Sequence, residues 1–229
     1  MLNALDLYAK IEPLIGFYDE YEQLYSSYLY LMQPLEIQTV LDVGCGNGKL
    51  AKLLLENGYD VLGIDRSEAM IERAKSLGIN AQNIELSSLP SESFDSLLCV
   101  GDVLNYMKQD ELKRFMIEVS RVLKKGGYLL ADINTLHGFE ISDGSVIKDQ
   151  TDKFLAIDAS FEDDILRTEM TYFEKENAHY QKYSNIIYQY YHPHDIFTKC
   201  ATLTLLRTVN ITMFSDESDK NLLILQKAT

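Results

Sequence analysis

Three glycines, Gly44, Gly46 and Gly48, lie in Val40-Leu-Asp-Val-Gly-Cys-Gly-Asn-Gly-Lys-Leu-Ala51, where a short apolar run gives way to leucines at helical spacing. A glycine at such a junction permits positive φ and lets the backbone approach a ligand with no Cβ in the way. The N-terminus of the following helix then offers unpaired N–H groups to a carboxylate or phosphate. Alone, such a loop is as often a tight turn as a ligand site. Two acids in register with it change that balance. Asp42, two residues before the first glycine, is placed to accept from a ligand ammonium or to orient the loop. Asp65, 21 residues after Gly44, ends a second apolar run at the offset of acids that bind ribose hydroxyls. A dinucleotide site is the competing reading. Its G-x-G-x-x-G fingerprint puts the third glycine one position later, and an acid ahead of the loop suits an ammonium or sulfonium better than a pyrophosphate.

The elements that must hold these residues are readable from periodicity. Residues 39–43, 59–64, 79–84, 94–100 and 128–133 are short apolar runs of buried-strand type. Between them, Leu50, Leu53 and Leu54, then Met70, Ile71 and Ala74, form apolar helix faces closed by Gly58 and Gly78, with Ser67 as an N-cap. A longer helix is expected from Lys108 to Lys125, its two final lysines at the end the dipole favours and Gly126-Gly127 ending it. Alternation at this spacing predicts an α/β fold, a mostly parallel, doubly wound sheet with helices on both faces. After residue 134 the pattern changes. Residues 154–161, 166–173 and 179–191 read as alternating antiparallel strands, 195–206 as a helix, and 208–214 with 221–226 as a closing strand pair. The expected organisation is a single domain over 1–229: a helical cap (1–35), a ligand-binding core (36–134), an antiparallel insertion (135–195) and a closing helix with strand pair (196–229).

Composition excludes some partners. Of 229 residues, 46% are hydrophobic and 24% charged, a globular composition long enough to bury a sizeable core. The formal net charge is −14, and both parts share it: residues 1–134 hold 12 basic and 20 acidic side chains, residues 135–229 hold 9 and 15. Nucleic acid and anionic membranes are bound by clustered Lys and Arg, so neither is expected as a main partner. Cys45, Cys99 and Cys200 form no Cys-x-x-Cys pair, which argues against a disulfide framework or a structural zinc. No apolar run approaches the roughly 18 residues of a membrane span, and the N-terminus lacks a basic region followed by an apolar one. The expected location is cytoplasmic.

Val40-Leu-Asp-Val-Gly-Cys-Gly-Asn-Gly48 resembles the first motif of class I S-adenosylmethionine-dependent methyltransferases, and Asp65 in Gly63-Ile-Asp-Arg-Ser-Glu-Ala-Met70 resembles that family's second-strand acid. Glu85 in Glu85-Leu-Ser-Ser-Leu-Pro90 stands where the family usually has Asp. Phe94-Asp95 and Leu123-Lys-Lys-Gly-Gly127 are similar to later core motifs, so the resemblance spans about residues 38–134. It implies a Rossmann-like, seven-stranded sheet and S-adenosylmethionine as cofactor, with S-adenosylhomocysteine as product. It further implies that Gly44, Cys45 and Gly46 lie against the amino-acid part of the cofactor with Asp42 nearby, and that Asp65 holds the ribose. Arg66 and Met70 would flank the adenine, Glu85 and the Leu86 N–H would meet its edge, and Val100 and Gly101 would lie beneath the methionine moiety.

Methyl transfer from a sulfonium needs alignment and water exclusion more than a universal catalytic side chain. Groups expected near the acceptor are Asp102, Asn105 and Tyr106 after the fourth strand, and Asn134 and His137 after the fifth, with His137 the best-placed possible base. Tyr18-Asp19 is similar to a Tyr-Asp pair found ahead of the first strand in this family. With Tyr21, Tyr25 and Tyr28 it forms a stripe that could pack on the core, cover the cofactor, or do both. His192-Pro-His194 with Asp195 lacks a third spaced ligand, so no metal is expected. Gly101-Asp-Val-Leu-Asn-Tyr106 lacks the Asn/Asp-Pro-Pro-Tyr pattern of enzymes that methylate DNA bases or glutamine amides. The expectation is transfer to N or O of a small molecule; the alternatives are a tRNA or protein methyltransferase, a non-catalytic cofactor-binding module, and a nicotinamide dehydrogenase.

Overall fold

The computed structural model describes the backbone of residues 2–16, 18–199 and 203–229, with the side chains of all of these except residues 18–20. Tyr18 as a site residue, and Cys200, therefore lie outside the described side chains. Two N-terminal helices, α1 (Ala4–Ile15) and α2 (Tyr18–Met32), precede the core. The core alternates β1 (Thr39–Val43), α3 (Lys49–Glu56), β2 (Asp60–Ile64), α4 (Glu68–Ser76), β3 (Ala81–Gln82), β4 (Phe94–Cys99), α5 (Gln109–Val122) and β5 (Leu123–Asn134). A short α6 (Leu136–Ile141) leads to β6 (Gly144–Gln150), β7 (Lys153–Glu162), β8 (Ile165–Glu176) and β9 (His179–Tyr190). Then α7 (Asp195–Thr198), β10 (Leu203–Ile211) and β11 (Lys220–Lys227) close the chain.

The main sheet has seven strands in the order β10-β11-β5-β4-β1-β2-β3. Strands β1 to β5 pair in parallel, and β11 runs antiparallel to both β5 and β10. The fold is thus α/β, doubly wound and mostly parallel. Its two faces follow from side-chain alternation along the strands. Leu41, Leu97 and Leu129 pack with Leu112, Met116 and Val119 of α5 on one face. Their neighbours Val40, Leu98 and Leu130 pack with Leu24, Tyr28 and Met32 of α2 and with Leu50 and Leu54 of α3 on the other. Each fully buried leucine contributes roughly 1.5–3 kcal/mol of transfer free energy. Strands β6 to β9 form a separate antiparallel sheet, against which α1 packs through Leu7 and Ile11 onto Leu155, Met170, Tyr172 and Ile187.

Three expected boundaries are corrected. The helix expected to reach Lys125 ends at Val122: Leu123 is already extended (φ −66°, ψ 138°) and pairs with Phe94. Lys124 therefore reaches Asp95 at 2.8 Å and not a helix C-terminus. The helix expected over 195–206 is one turn, Asp195–Thr198, and a strand starts at Leu203. The β-branched Thr204, Thr208, Val209 and Ile211 suit a strand, and pairing with β11 from Leu203 to Ile211 takes over that segment. The third strand is reduced to Ala81–Gln82. Two elements had no legible signal: α6, and β6, whose seven residues are all exposed and so carry no burial alternation.

Asp95 ties the start of three strands together. Its carboxylate accepts from Gln38 N (3.1 Å), Thr39 N (2.8 Å), Thr39 Oγ1 (2.9 Å) and Lys124 Nζ. Burial works against the charge, but these donors outweigh it and hold the pKa down at about 2. Its stabilising contribution is therefore complete above the ordinary carboxylate range and is lost as pH falls from about 4 towards 2. Asp95→Ala is expected to cost about 1–3 kcal/mol in urea unfolding at pH 7 and to make little difference near pH 2. An equal loss at both pH values would show that the charge is not what matters.

Candidate functional site

The site is built where β1, β2 and β4 end. Gly44 (φ +71°), Gly46 (φ +52°) and Gly48 (φ +81°) all occupy the left-handed region, which disfavours any residue with a Cβ. The loop folds back onto β2: Gly44 N and Cys45 N both donate to Ile64 O, at 2.8 and 3.1 Å. Space restricts Gly44 further, because a Cβ there would stand 2.7 Å from Val103 Cγ2. Asp65 fastens the second half of the loop. Its Oδ2 accepts from Gly46 N at 2.9 Å, and its Oδ1 from Ser67 N at 2.7 Å. Burial raises the Asp65 pKa, and the backbone donors of Ser67, Gly46 and Arg66 oppose that rise. A carboxylate has about four acceptor positions, so two remain for a ligand's hydroxyls.

Beneath the loop, Asp42 is buried and its Oδ2 has no hydrogen-bond partner. Burial first, and repulsion from Asp65 second, push its pKa up to about 7. An uncompensated carboxylate is costly in such a place, so the arrangement favours a cationic ligand group beside it. The Cys45 thiol is likewise pushed up by burial and by Asp42, so it stays protonated and packs as a small group against Gly63, where a Cβ would meet its Sγ at 2.8 Å.

The turn after β4 is held from below. Gly101 (φ +81°) and Asp102 (φ +67°) both donate their N–H groups to Asp132, at 2.8 and 3.1 Å. Asp132 is fully buried and also accepts from Tyr28 Oη of α2 at 2.9 Å. Lys220, buried at the start of β11, contacts Asp102, lies 3.3 Å from Asp132 Oδ2 and donates to Asn134 Oδ1 at 2.8 Å. Burial raises the pKa of Asp132, with Lys220 opposing it. Neither Asp132 nor Lys220 was singled out by sequence. The available signal was a charge inside the apolar run Tyr128–Ile133, which no structural turn explains.

The cap closes the site from above. Three contacts dock α1 on the core: Ser67 Oγ to Asp6 Oδ1 (2.6 Å), Arg73 Nη1 to Ala9 O (2.8 Å) and Asn47 Nδ2 to Glu12 Oε1 (3.2 Å). A cleft remains between cap and loop. Gly44, Cys45, Gly46, Met70, Val100 and Gly101 line its floor, and Tyr8, Glu12, Tyr21 and Tyr25 line its roof. The Tyr21 ring sits over Gly101, where a Cβ would be 3.4 Å from Cε1. Within the tyrosine stripe, Tyr28 is core, while Tyr21 and Tyr25 line the cleft.

Other expected residues are not among the described residues lining this cleft. Arg66 and Glu85 are exposed and reach each other at 3.8 Å, with the buried Leu86 following; such a pair contributes little by itself. Asn105 is buried with both ends of its amide engaged: Nδ2 donates to Tyr190 O, and Oδ1 accepts from Asn134 N, each at 3.0 Å. It therefore ties the turn to β5 and β9. Tyr106 packs with the cluster formed by α1 and the antiparallel sheet. His137 Nε2 is paired with Ser215 Oγ at 3.1 Å and is not among the described residues lining the cleft. His192 Nε2 lies within hydrogen-bond reach of Leu104 O and Met107 O, and His194 of Thr208 Oγ1, so one ring serves the backbone of the turn after β4 and the other a side chain of β10.

A mostly parallel sheet with an antiparallel closing pair, a glycine cradle ending β1 and an acid ending β2 is the Rossmann-like fold of S-adenosylmethionine-dependent methyltransferases. Residues 41–131 match the family model described as a methyltransferase domain. A S-adenosylmethionine-dependent methyltransferase from Clostridium acetobutylicum superposes with a TM-score of 0.77 at 21% identity, covering 98% of each chain. A sugar N-methyltransferase from Streptoalloteichus superposes with a TM-score of 0.76 at 18% identity, covering 100% of this chain and 95% of that one. In sequence, a ubiquinone biosynthesis O-methyltransferase of Coxiella burnetii is 33% identical over 110 residues, 44% of this chain and 46% of its own length. The chain spans about half the length of the curated relatives it matches. Residues 41–131 thus match a methyltransferase domain, on a fold shared with S-adenosylmethionine-dependent methyltransferase structures.

The left-handed φ of Gly44 and its contact with Val103 are separable. Gly44→Ala is expected to lower stability by about 1–2 kcal/mol from the backbone term, with a further loss from the methyl contact. Adding Val103→Ala should lessen the second part only. Full recovery in the double variant, measured by chemical unfolding, would show that the backbone conformation carries no cost.

Proposed function

We propose that the protein transfers a methyl group from S-adenosylmethionine to N or O of a small-molecule acceptor. The observation that carries this reading is Asp42, a buried carboxylate with an unpartnered oxygen beneath a three-glycine cradle. The residues present fit the cofactor. Asp42 would take the ammonium of its amino-acid end, the loop backbone would lie against that end without Cβ interference, and the spare acceptor positions of Asp65 would take the ribose hydroxyls. Arg66, Met70, Glu85 and Leu86 would border the adenine, and Val100 and Gly101 the methionine.

When bound, the cofactor supplies an already activated methyl group, so the protein's work is alignment and exclusion of water. The cap does the second through Tyr21 and Tyr25. Burial raises the Tyr8 pKa to about 12, and that of Tyr21 and Tyr106 well above the usual value. These hydroxyls stay protonated and can orient an acceptor, but they do not serve as bases at neutral pH. The acceptor would enter where α1, Tyr106 and the antiparallel sheet meet, which makes residues 135–195 the acceptor-binding insertion of a single 1–229 domain. Similarity to a sugar N-methyltransferase and to an O-methyltransferase supports small molecules of either kind. The net charge of −14 disfavours nucleic acid. The buried, free Cys45 and Cys99 suit a reducing, cytoplasmic setting. Among the described residues no helix is long and apolar enough to cross a membrane.

Calorimetry is expected to show S-adenosylmethionine binding with a micromolar dissociation constant, weakened by about 1–3 kcal/mol in Asp65→Ala. A folded protein that ignores the cofactor would end this reading. The acceptor is then sought by screening small amines, hydroxyl compounds and carboxylates for release of S-adenosylhomocysteine. Asp42 adds a pH signature. Below about pH 7 its carboxyl is protonated in the free protein, and a cation beside it must lower that pKa. Binding at pH 6 should therefore release up to about one proton, and binding at pH 8.5 almost none. Comparing buffers of different ionisation enthalpy measures this, and Asp42→Asn should abolish the release.

A further inference from the structure

Asp102, Asp132 and Lys220 form a buried triplet in which two carboxylates face one ammonium. Burial works against the Lys220 charge, yet Asp102 and Asp132 outweigh it and hold the pKa above the usual lysine value. The lysine therefore stays charged, and with both carboxylates ionised the triplet carries one net negative charge. The two carboxylates are not equivalent. Asp132 is enclosed and already accepts from Gly101 N, Asp102 N and Tyr28 Oη. Asp102 is one-sided: Oδ1 meets Lys220, Oδ2 has no hydrogen bond among the described residues, and its side chain is 18% exposed. It adjoins Gly101 on the cleft floor, under Tyr21. Its charge reaches the hydroxyls of Tyr8, Tyr21 and Tyr106, three rings from three different elements.

We propose that this triplet, acting through Asp102, makes the cleft selective for charge, favouring the sulfonium donor over the neutral thioether that methyl transfer leaves behind. The proposal rests on the methyltransferase reading above. In the transfer, the acceptor's lone pair forms the new bond to the methyl carbon. The electron pair of the broken C–S bond stays on sulfur, which becomes neutral. The positive charge leaves with the methylated acceptor or as its proton. A fixed negative charge in a partly desolvated cleft attracts the donor and has no net charge at sulfur to attract in the product. The part of the ligand it discriminates is the part that changes during the reaction. Asp42 and Asp65 lie at the glycine loop and, on the reading above, would meet the ammonium and ribose that donor and product share.

Asp102→Asn tests this with little disturbance of the backbone. Asparagine tolerates the left-handed φ of +67°, its amide oxygen can still accept from Lys220, and Lys220 keeps Asp132 and Asn134. The triplet then becomes neutral. Dissociation constants of S-adenosylmethionine and S-adenosylhomocysteine are measured by calorimetry for both proteins, with circular dichroism as the check on folding. The expected result is a shift of the ratio of the two constants towards S-adenosylhomocysteine by at least about fivefold. An unchanged ratio, including equal weakening of both ligands, overturns the proposal and leaves the triplet a purely structural device. Failure of the unsubstituted protein to bind either ligand is a different outcome, and refutes the methyltransferase reading itself, and this proposal with it. Should Asp102→Asn fail to fold, the unsubstituted protein decides. It must bind S-adenosylmethionine more tightly than S-adenosylhomocysteine, and equal or reversed affinities overturn the proposal.

Discussion

The carboxylate of Asp132 is the point on which the rest of the site depends. It lies fully buried at the end of β5, where an isolated charge would cost several kcal/mol. The structure compensates it with groups from three distant parts of the chain: the Tyr28 hydroxyl of the cap, the Gly101 and Asp102 amides of the turn after β4, and the Lys220 ammonium of the closing hairpin. Each partner satisfies part of the same charge, so each is held in place by it. The cap is thereby joined to the core, the cleft floor is given its left-handed turn, and the last strand pair is tied to the site. Buried ion pairs often add little net stability, so well-packed apolar groups in place of the cluster are compatible with the fold. What they would not preserve is the conformation of Gly101 and Asp102.

The glycine loop works on a different principle. No buried charge shapes it; three left-handed backbone positions and two bonds to Ile64 O do. Asp65 then locks the loop to the start of α4 through Gly46 N and Ser67 N, while Ser67 also caps that helix by accepting from Met70 N. The same two acids that attract attention in the sequence therefore have unlike duties. Asp65 is structurally engaged with capacity to spare, and Asp42 is left with an oxygen that nothing in the chain satisfies.

Much of this was legible in advance, and the reasons are physical. The core strands, the helices between them and the cap announced themselves because each buries one face, and burial imposes a period on the sequence. The loop was legible because its glycines and acids lie within about 25 residues of each other, on elements that local chemistry positions. The errors fell where tertiary pairing overrode local preference. Lys124 and Lys125 look like a helix end until β4 captures Leu123, and Thr204–Leu206 looks helical until β11 pairs with it. Strand β6 left no trace because an edge strand exposed on all seven residues buries nothing. Asn105 and His137 follow the fourth and fifth strands, but which way their side chains turn is set by distant partners: the amide of one bonds Tyr190 and Asn134, and the other meets Ser215.

What the sequence determined by itself is the class of fold and the glycine cradle with its two acids, since both rest on short-range order: hydrophobic period, turn glycines and acids at fixed offsets. What only the tertiary structure decided is the other half of the site. Asp102 and Lys220 are 118 residues apart, Tyr28 and Asp132 are 104 apart, and Asn47 meets Glu12 across 35 residues. No local signal encodes such meetings. They follow from the order in which seven strands are laid side by side, which brings β5 next to β4 on one side and β11 on the other. The acidity of the chain was evident from composition alone. That two of its acids share one buried lysine, behind the turn after β4, was decided by the sheet.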